Sequence, residues 1–394
     1  MSRWTKPVVA LELRTTPAEP EPQLKTAWIE TTTGLRALAP EWRSLTESSG
    51  HHAPFFQPEW ASASMASFCQ GEPLALLTTR RRGELLSVLP LVRSRYLTPR
   101  YPLRTLRSIS SVHSIRSDLI EGAASDDEST ARTWAALKGD PWWNAVVLED
   151  VPEGGAFHKM MNLASRDGYL VAHWRTRLSP FLPITPHGDP FAACPKRYKS
   201  FRNRLKGKLE RLGSLGSTTF TVESSPETSS LEAFLDLEAS GWKASSGSAI
   251  KGSQKLRGFY GSVFSEARQR GYLRMYSLLL DGKQIAMHLG LFQCGTYYSP
   301  KVAYDERYRE YSLGHILMQH IIRDLSAIGA QRFEFLGPNA LWKSVWSTSL
   351  QRHDTCYIFR PSLAGRTAHV MLASIGLRLR ALRHRLRGDP QQLT

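Results

Sequence analysis

The period of the apolar positions changes once within residues 272–336, and that change organises the chain. Tyr272–Leu280 alternates and is rich in β-formers. Asp281-Gly282 follows as a two-residue hairpin signal, and Ile285–Phe292 returns as a second strand. Thr296–Ala303 reads as a third. From Leu313 the spacing becomes helical, with Leu313, Ile316, Leu317, Ile321, Ile322 and Leu325 on one face. Gly329 ends that helix, and Ala330–Leu336 reads as a last strand.

The first half of the chain has a similar mix. Leu38–Ser48 is helical in character, and Pro58 suits the first turn of a second helix. Leu74–Thr79 and Leu85–Val92 read as strands, and the basic, aromatic stretch Arg95–Arg107 as a loop. Ser110–Leu119 reads either as a pocket lining or as ordinary surface. Ser129–Leu137 and Ala156–Asp167 are expected helices; Ala145–Leu148, Tyr169–Trp174 and Ser179–Ile184 are expected strands. Pro186–Pro195 is a linker. Beyond it come the strand Thr218–Glu223, the helices Ser230–Leu237 and Leu256–Gly271, and the final strand Cys356–Phe359.

These elements divide into a Pro/Glu/Thr-rich tail over 1–25, a folded half over 26–185, a second over 190–360, and a basic amphipathic helix with its tail over 361–394. No apolar run reaches the roughly 18 residues that span a bilayer, and Val8–Leu11 is too short for a secretory leader. Cys69, Cys194, Cys294 and Cys356 are far apart and form no CxxC, so neither a disulfide framework nor a metal site is expected. The expected setting is cytoplasmic.

A net charge of +16 favours anionic partners without choosing among them. Between Lys196 and Arg211, eight basic residues stand against one acid. The run reads as a solvated helix face, or as a contact for RNA or an anionic substrate; base-stacking aromatics are sparse, which disfavours nucleic acid. The arginines between Arg378 and Arg387 belong to a helix that packs on the body or rests peripherally on an anionic membrane.

Candidate chemistry lies before the helix that starts at Leu313. The turn reads Arg309-Glu-Tyr-Ser312-Leu-Gly314-His315. A helix N-terminus offers unpaired N–H groups and the positive end of its dipole. Gly314 permits close backbone approach, Ser312 can cap, and Arg309 adds a charge. This is a pyrophosphate site in outline, or simply a helix start.

Arg309-x-x-Ser312-x-Gly314 resembles the acyl-CoA loop of GNAT acetyltransferases, with Ser in place of the first Gly. The wider series is similar to the CelD/BcsL-type acetyltransferases, a GNAT branch related to FemABX. It comprises Trp242-Lys243, Phe259-Tyr260, Asp281-Gly282, Ile285-Ala286, Lys301-x-x-Tyr304-Asp305, Ser312-x-Gly314 and Glu334-x-x-Gly337. The likeness covers roughly residues 195–350, with a fainter echo over 28–185. Where the family usually has Pro, this chain has Leu313.

The resemblance implies an α/β (α+β) protein with tandem GNAT-like halves, mixed central sheets flanked by helices, and an active second half. It implies acetyl-CoA as co-substrate, and an amine or hydroxyl acceptor on a polysaccharide or cell-envelope precursor. Tyr298, Lys301 and Val302 would lie along the pantetheine, and Arg309, Ser312, Gly314, His315 and Ile316 around the pyrophosphate. Acyl transfer needs a proton acceptor and a donor to the leaving thiolate. Asp305 and His288 are the candidate bases, and Tyr304 the candidate acid. Trp242, Lys243 and Lys343 would meet the acceptor. Two rival readings are a Fem-like aminoacyl-tRNA-dependent transferase and a non-catalytic component of an envelope-polysaccharide complex.

Overall fold

Asp281-Gly282 does what its composition predicts. Both residues have positive φ, and the strands Leu273–Leu280 (β9) and Lys283–Gln293 (β10) pair antiparallel across them. Thr296–Tyr304 (β11) adds to β10. The helix Leu313–Ala327, termed α8 in chain order, then crosses back so that Arg332–Glu334 (β12) pairs parallel with β11. The computed structural model describes residues 24–375 apart from 112, 114–115 and 241–248, and not the side chains of 175 and 373–375.

The first half repeats this order. Leu74–Arg81 (β2), Glu84–Thr98 (β3) and Tyr101–Ser108 (β4) form a meander. The helix Asp127–Gly139 (α3) then leads to Ala145–Pro152 (β6), which is parallel to β4. Leu24–Ile29 (β1) edges this half and Thr218–Glu223 (β8) edges the other. Ile120–Glu121 (β5) pairs only with β3.

Two strands join the halves into one mixed thirteen-stranded sheet, ordered β1-β2-β3-β4-β6-β13-β7-β12-β11-β10-β9-β8. Leu170–Pro183 (β7) follows the helix Ala156–Arg166 (α4) and pairs through Phe181–Pro183 with β12 of the second half. Leu350–Phe359 (β13) returns from the second half to lie between β6 and β7. The strand expected to close the second half therefore sits in the sheet of the first.

The core is shared as well. The helix Pro58–Phe68 (α2) packs on Gln254–Gln269 (α7), with Trp60 and Phe68 at 5.4 and 5.0 Å from Phe259. The buried Trp60 and Phe259 are each worth about 1.5–3 kcal/mol relative to exposure. Arg95–Arg107 is strand rather than loop, because its alternation places Leu97, Leu103 and Leu106 toward apolar neighbours. Tyr169–Trp174 and Ser179–Ile184 merge into the single strand β7, held on both sides by β13 and β12. Strand β1 starts at Leu24, inside the expected tail, since β2 supplies its ladder partner. After β13 the chain forms a short helix at Leu363–His369 and a π-turn at Val370–Ile375. The arginines beyond 375 lie outside the described residues. Among the described residues no helix is long and apolar enough to cross a membrane.

Candidate active site

The site begins where β11 parts from β12. Their parallel pairing covers Thr296–Tyr298 against Arg332–Glu334, and beyond Tyr298 the strands diverge. A register shift opposite Leu289/Leu291 places one extra residue in β11 there, and such a bulge bends and re-aims a strand. The slot opens into a cavity of about 460 Å³. Val302 and Tyr304 line one side of it, and Arg309, Ser312, Gly314 and His315 the other.

Ser312 starts α8 with φ 58° and ψ 46°, in the left-handed region. That region favours glycine, and for another residue it costs about 1–2 kcal/mol. The hydroxyl does not cap the helix, contrary to expectation. It accepts instead from Lys208 Nζ at 2.7 Å. The amides also differ from expectation. His315 and Ile316 donate to Ser312 O, at 2.9 and 3.2 Å. Among the described residues, the Leu313 and Gly314 N–H groups meet no backbone acceptor. A Cβ built on Gly314 would meet nothing within 4 Å, so this position faces open space.

Arg309 and the α8 N-terminus thus meet at one end of the cavity, and Lys208 from the basic helix Tyr198–Gly213 (α5) reaches the turn there through Ser312. His315 adds no charge. Burial, with Lys208 beside it, lowers its pKa to about 4, and its Nδ1 accepts from Trp346 Nε1 at 3.1 Å. The arrangement suits a pyrophosphate.

Other expected residues lie elsewhere. His288 is 1% exposed, with its ring nitrogens 2.9 Å from Tyr297 Oη and 2.8 Å from Ser299 Oγ; burial lowers its pKa to about 3. It is a satisfied core histidine, away from the cavity. Asp305 caps the 3₁₀ turn Glu306–Tyr311 and pairs with the Arg307 guanidinium at 2.6 Å. That hydrogen bond holds its pKa below the usual range, which weakens it as a base. Lys343 is buried and donates to Leu336 O and Pro338 O, so it holds a turn rather than an acceptor. Burial lowers it to about 8. Lys301 lies over the Tyr260 ring at 4.9 Å. Tyr304 lines the cavity, and desolvation raises its phenol. Ile316 is buried behind the turn. Trp242 and Lys243 lie outside the described residues.

Sequence reading passed over Lys208 and Glu238. Lys208 was one of eight basic residues, and only the docking of α5 singles it out. Glu238, 2% exposed on the helix Thr228–Ser240 (α6), is a carboxylate lining the cavity, and its Oε2 accepts from Ile250 N at 2.8 Å. Near it, Tyr260 Oη is 2.9 Å from Nδ1 of His113, which comes from the first half.

A second cavity of about 430 Å³ lies between the halves. Tyr298, at the far end of β11, lines it with Arg116, Asp118, Lys159, Arg332 and Glu334. Arg116 pairs with Glu334 at 3.1 Å, both nearly buried. The corresponding helix of the first half, α3, cannot hold a phosphate as α8 can. Its N-terminus is closed by an Asp126–Ser129 capping box and followed by Asp127 and Glu128.

Comparison with known proteins agrees with this geometry. FemX superposes with a TM-score of 0.54 at 13% identity, over 83% of this chain and 96% of FemX. The C-terminal domain of a putative lysylphosphatidylglycerol synthetase from Agrobacterium fabrum gives 0.52 at 10%, over 86% and 97%. A tandem GNAT protein from the clavulanic acid biosynthesis pathway gives 0.45 at 12%, over 86% and 100%. At these identities the likeness to the first two shows the fold alone. No protein of curated function matches significantly. Residues 199–344, which contain the diverging strands, the Ser312 turn and Lys208, match the family model described as an acetyltransferase (GNAT) domain.

Proposed function

We propose that this protein is an acyl-CoA-dependent acyltransferase that uses acetyl-CoA. One observation carries the reading: Arg309 and the Leu313 and Gly314 amides, which meet no backbone acceptor among the described residues, line one cavity beside diverging strands, with Lys208 bonded to Ser312 at its edge. The pyrophosphate binds the turn, and the pantetheine runs along β11 past Val302 toward Lys301. An acceptor amine or hydroxyl attacks the thioester carbonyl and gives its proton to Glu238. The tetrahedral intermediate then expels the thiolate, which takes a proton from Tyr304. We place the acceptor in the same cavity as the co-substrate, beside the Glu238 carboxylate. The CelD/BcsL resemblance supports a polysaccharide or envelope precursor.

Calorimetric titration with acetyl-CoA tests this reading. Wild type is expected to bind with micromolar Kd. Gly314→Trp, which fills the open space over the turn, is expected to lose binding while its circular dichroism is unchanged. Absence of binding by the folded wild type overturns the proposal. Glu238→Gln is expected to lower kcat without weakening acetyl-CoA.

A second reading is an aminoacyl-tRNA-dependent transferase. It is supported by the FemX likeness and by exposed Arg202, Arg204 and Lys206 on α5. An activity that needs charged tRNA and is abolished by ribonuclease would favour it.

A further inference from the structure

Four side chains of metal-ligating type gather where α4, β7 and β13 meet. His158 comes from α4, His173 from β7, and Asp354 and Cys356 from β13. Cys356 Sγ lies 3.6 Å from His158 Nε2 and 3.8 Å from His173 Nδ1. Asp354 Oδ2 lies 3.8 Å from each of the same two nitrogens. The His158 and His173 ring planes are 15° apart, with centroids separated by 5.4 Å.

The carboxylate–imidazole spacings are too long for direct hydrogen bonds, only the longer sulfur contacts of Cys356 reach the two imidazoles directly, and a shared ion suits the thiol–imidazole set. An N–H···O bond closes at about 2.7–3.2 Å, so 3.8 Å between carboxylate and imidazole is too long. A tetrahedral ion with Zn–N and Zn–O near 2.0–2.1 Å and Zn–S near 2.3 Å separates its ligand atoms by about 3.3–3.6 Å. Two imidazoles on such an ion place their centroids about 5 Å apart. The His158, His173 and Cys356 donor atoms lie within 4.8 Å of one another, and the two sulfur–nitrogen spacings need to change by only a few tenths of an ångström.

The surroundings point the same way. Beside Asp354–Cys356 the register shifts against β6, and at His353/Thr355 it shifts against β7. Paired bulges of this kind re-aim side chains. Asp354 Oδ1 accepts from Thr176 Oγ1 at 2.6 Å, and the Arg352 Nε–H bridges both carboxylate oxygens at 3.0 and 3.1 Å. Such outer contacts orient a ligand carboxylate and leave room on Oδ2. His158 Nδ1 is buried and unpartnered among the described residues, so this ring's polar engagement is through Nε2. Cys356 is fully buried, whereas the His173 side chain is 42% exposed and gives an ion its way in.

We propose that His158, His173 and Cys356 hold a divalent borderline metal ion, Zn²⁺ by donor type, with the Asp354 carboxylate beside it. Three protein donors leave one position of the tetrahedron, which water or the neighbouring Asp354 carboxylate fills. On binding, the Cys356 thiol releases its proton to solvent and the thiolate takes the ion. The thiolate and the carboxylate balance its two charges. The ion clips α4 to β13 across 198 residues of chain and so anchors the strand that returns from the second half. Constraints that close long loops are the most effective kind.

The test uses the full-length protein, stripped with EDTA and titrated with Co²⁺ alone. One equivalent should give the intense visible bands of tetrahedral Co²⁺ and a thiolate-to-cobalt charge-transfer band, both removed by Zn²⁺. Cys356→Ser should abolish the charge-transfer band. Because Cys356 is buried, His173→Gln at the exposed edge serves as the second variant. It should fold as wild type by circular dichroism, bind Co²⁺ at least tenfold more weakly, and lose the rise in Tm that Zn²⁺ gives wild type. A folded wild type with no tetrahedral spectrum overturns the proposal, as does a spectrum that both variants retain.

Discussion

Replacing Lys208 with Met isolates the charge that α5 brings to the turn. Lys208 Nζ lies 2.7 Å from Ser312 Oγ, at the N-terminus of α8. A phosphate bound there would take a charge-assisted hydrogen bond from it, worth about 1.5–3 kcal/mol. At about 1.4 kcal/mol per decade, the Kd for acetyl-CoA should rise about 10- to 150-fold. Loss of the bond to Ser312 costs the fold about 1 kcal/mol or less, so the variant remains folded. The decisive comparison is acetyl-pantetheine, which lacks the pyrophosphate. Calorimetry should show the variant weakened for acetyl-CoA and unchanged for acetyl-pantetheine, with a shallower salt dependence for the former. NMR gives an independent check. Burial is the larger cause of the low His315 pKa and Lys208 the smaller, so that pKa should rise modestly from about 4. Equal losses for both ligands, or none, would refute the assignment of the pyrophosphate to this turn.

Two further tests address the scaffold. A Cβ on Gly290 would lie 2.0 Å from the Tyr297 ring, which is fully buried; Gly290→Ala should therefore cost about 1–3 kcal/mol, and an unchanged Tm would contradict it. His288, whose pKa falls from 6.5 to about 3 through burial, binds a proton more readily unfolded than folded between those values. Its contribution is complete above pH 6.5 and is lost as pH falls toward 3. The Tm of wild type should drop through that window, and His288→Asn should show a lower Tm at pH 7 but a flatter decline.

The sequence by itself determined the local units. The hairpin at Asp281-Gly282, the amphipathic face of α8 and the Ser312-x-Gly314 turn follow from short-range sterics and periodicity, which neighbouring residues carry in full. For the same reason Arg309, Ser312, Gly314, His315 and Tyr304, close along the chain, come together around one cavity. The tertiary structure decided what depends on distant segments. Asp305 and His288 read as bases until Arg307, Tyr297 and Ser299 are seen to occupy them. Lys208 and Glu238 had no distinguishing spacing, because the rotation of α5 and α6 is set by what they pack against. The crossing of β7 and β13 between halves is likewise invisible to a period of two, which fixes faces but not partners. The His158–His173–Asp354–Cys356 cluster exists only because that crossing places β13 beside α4 and β7. Local chemistry fixes the conformation of each segment, and long-range strand pairing fixes which side chains share a site.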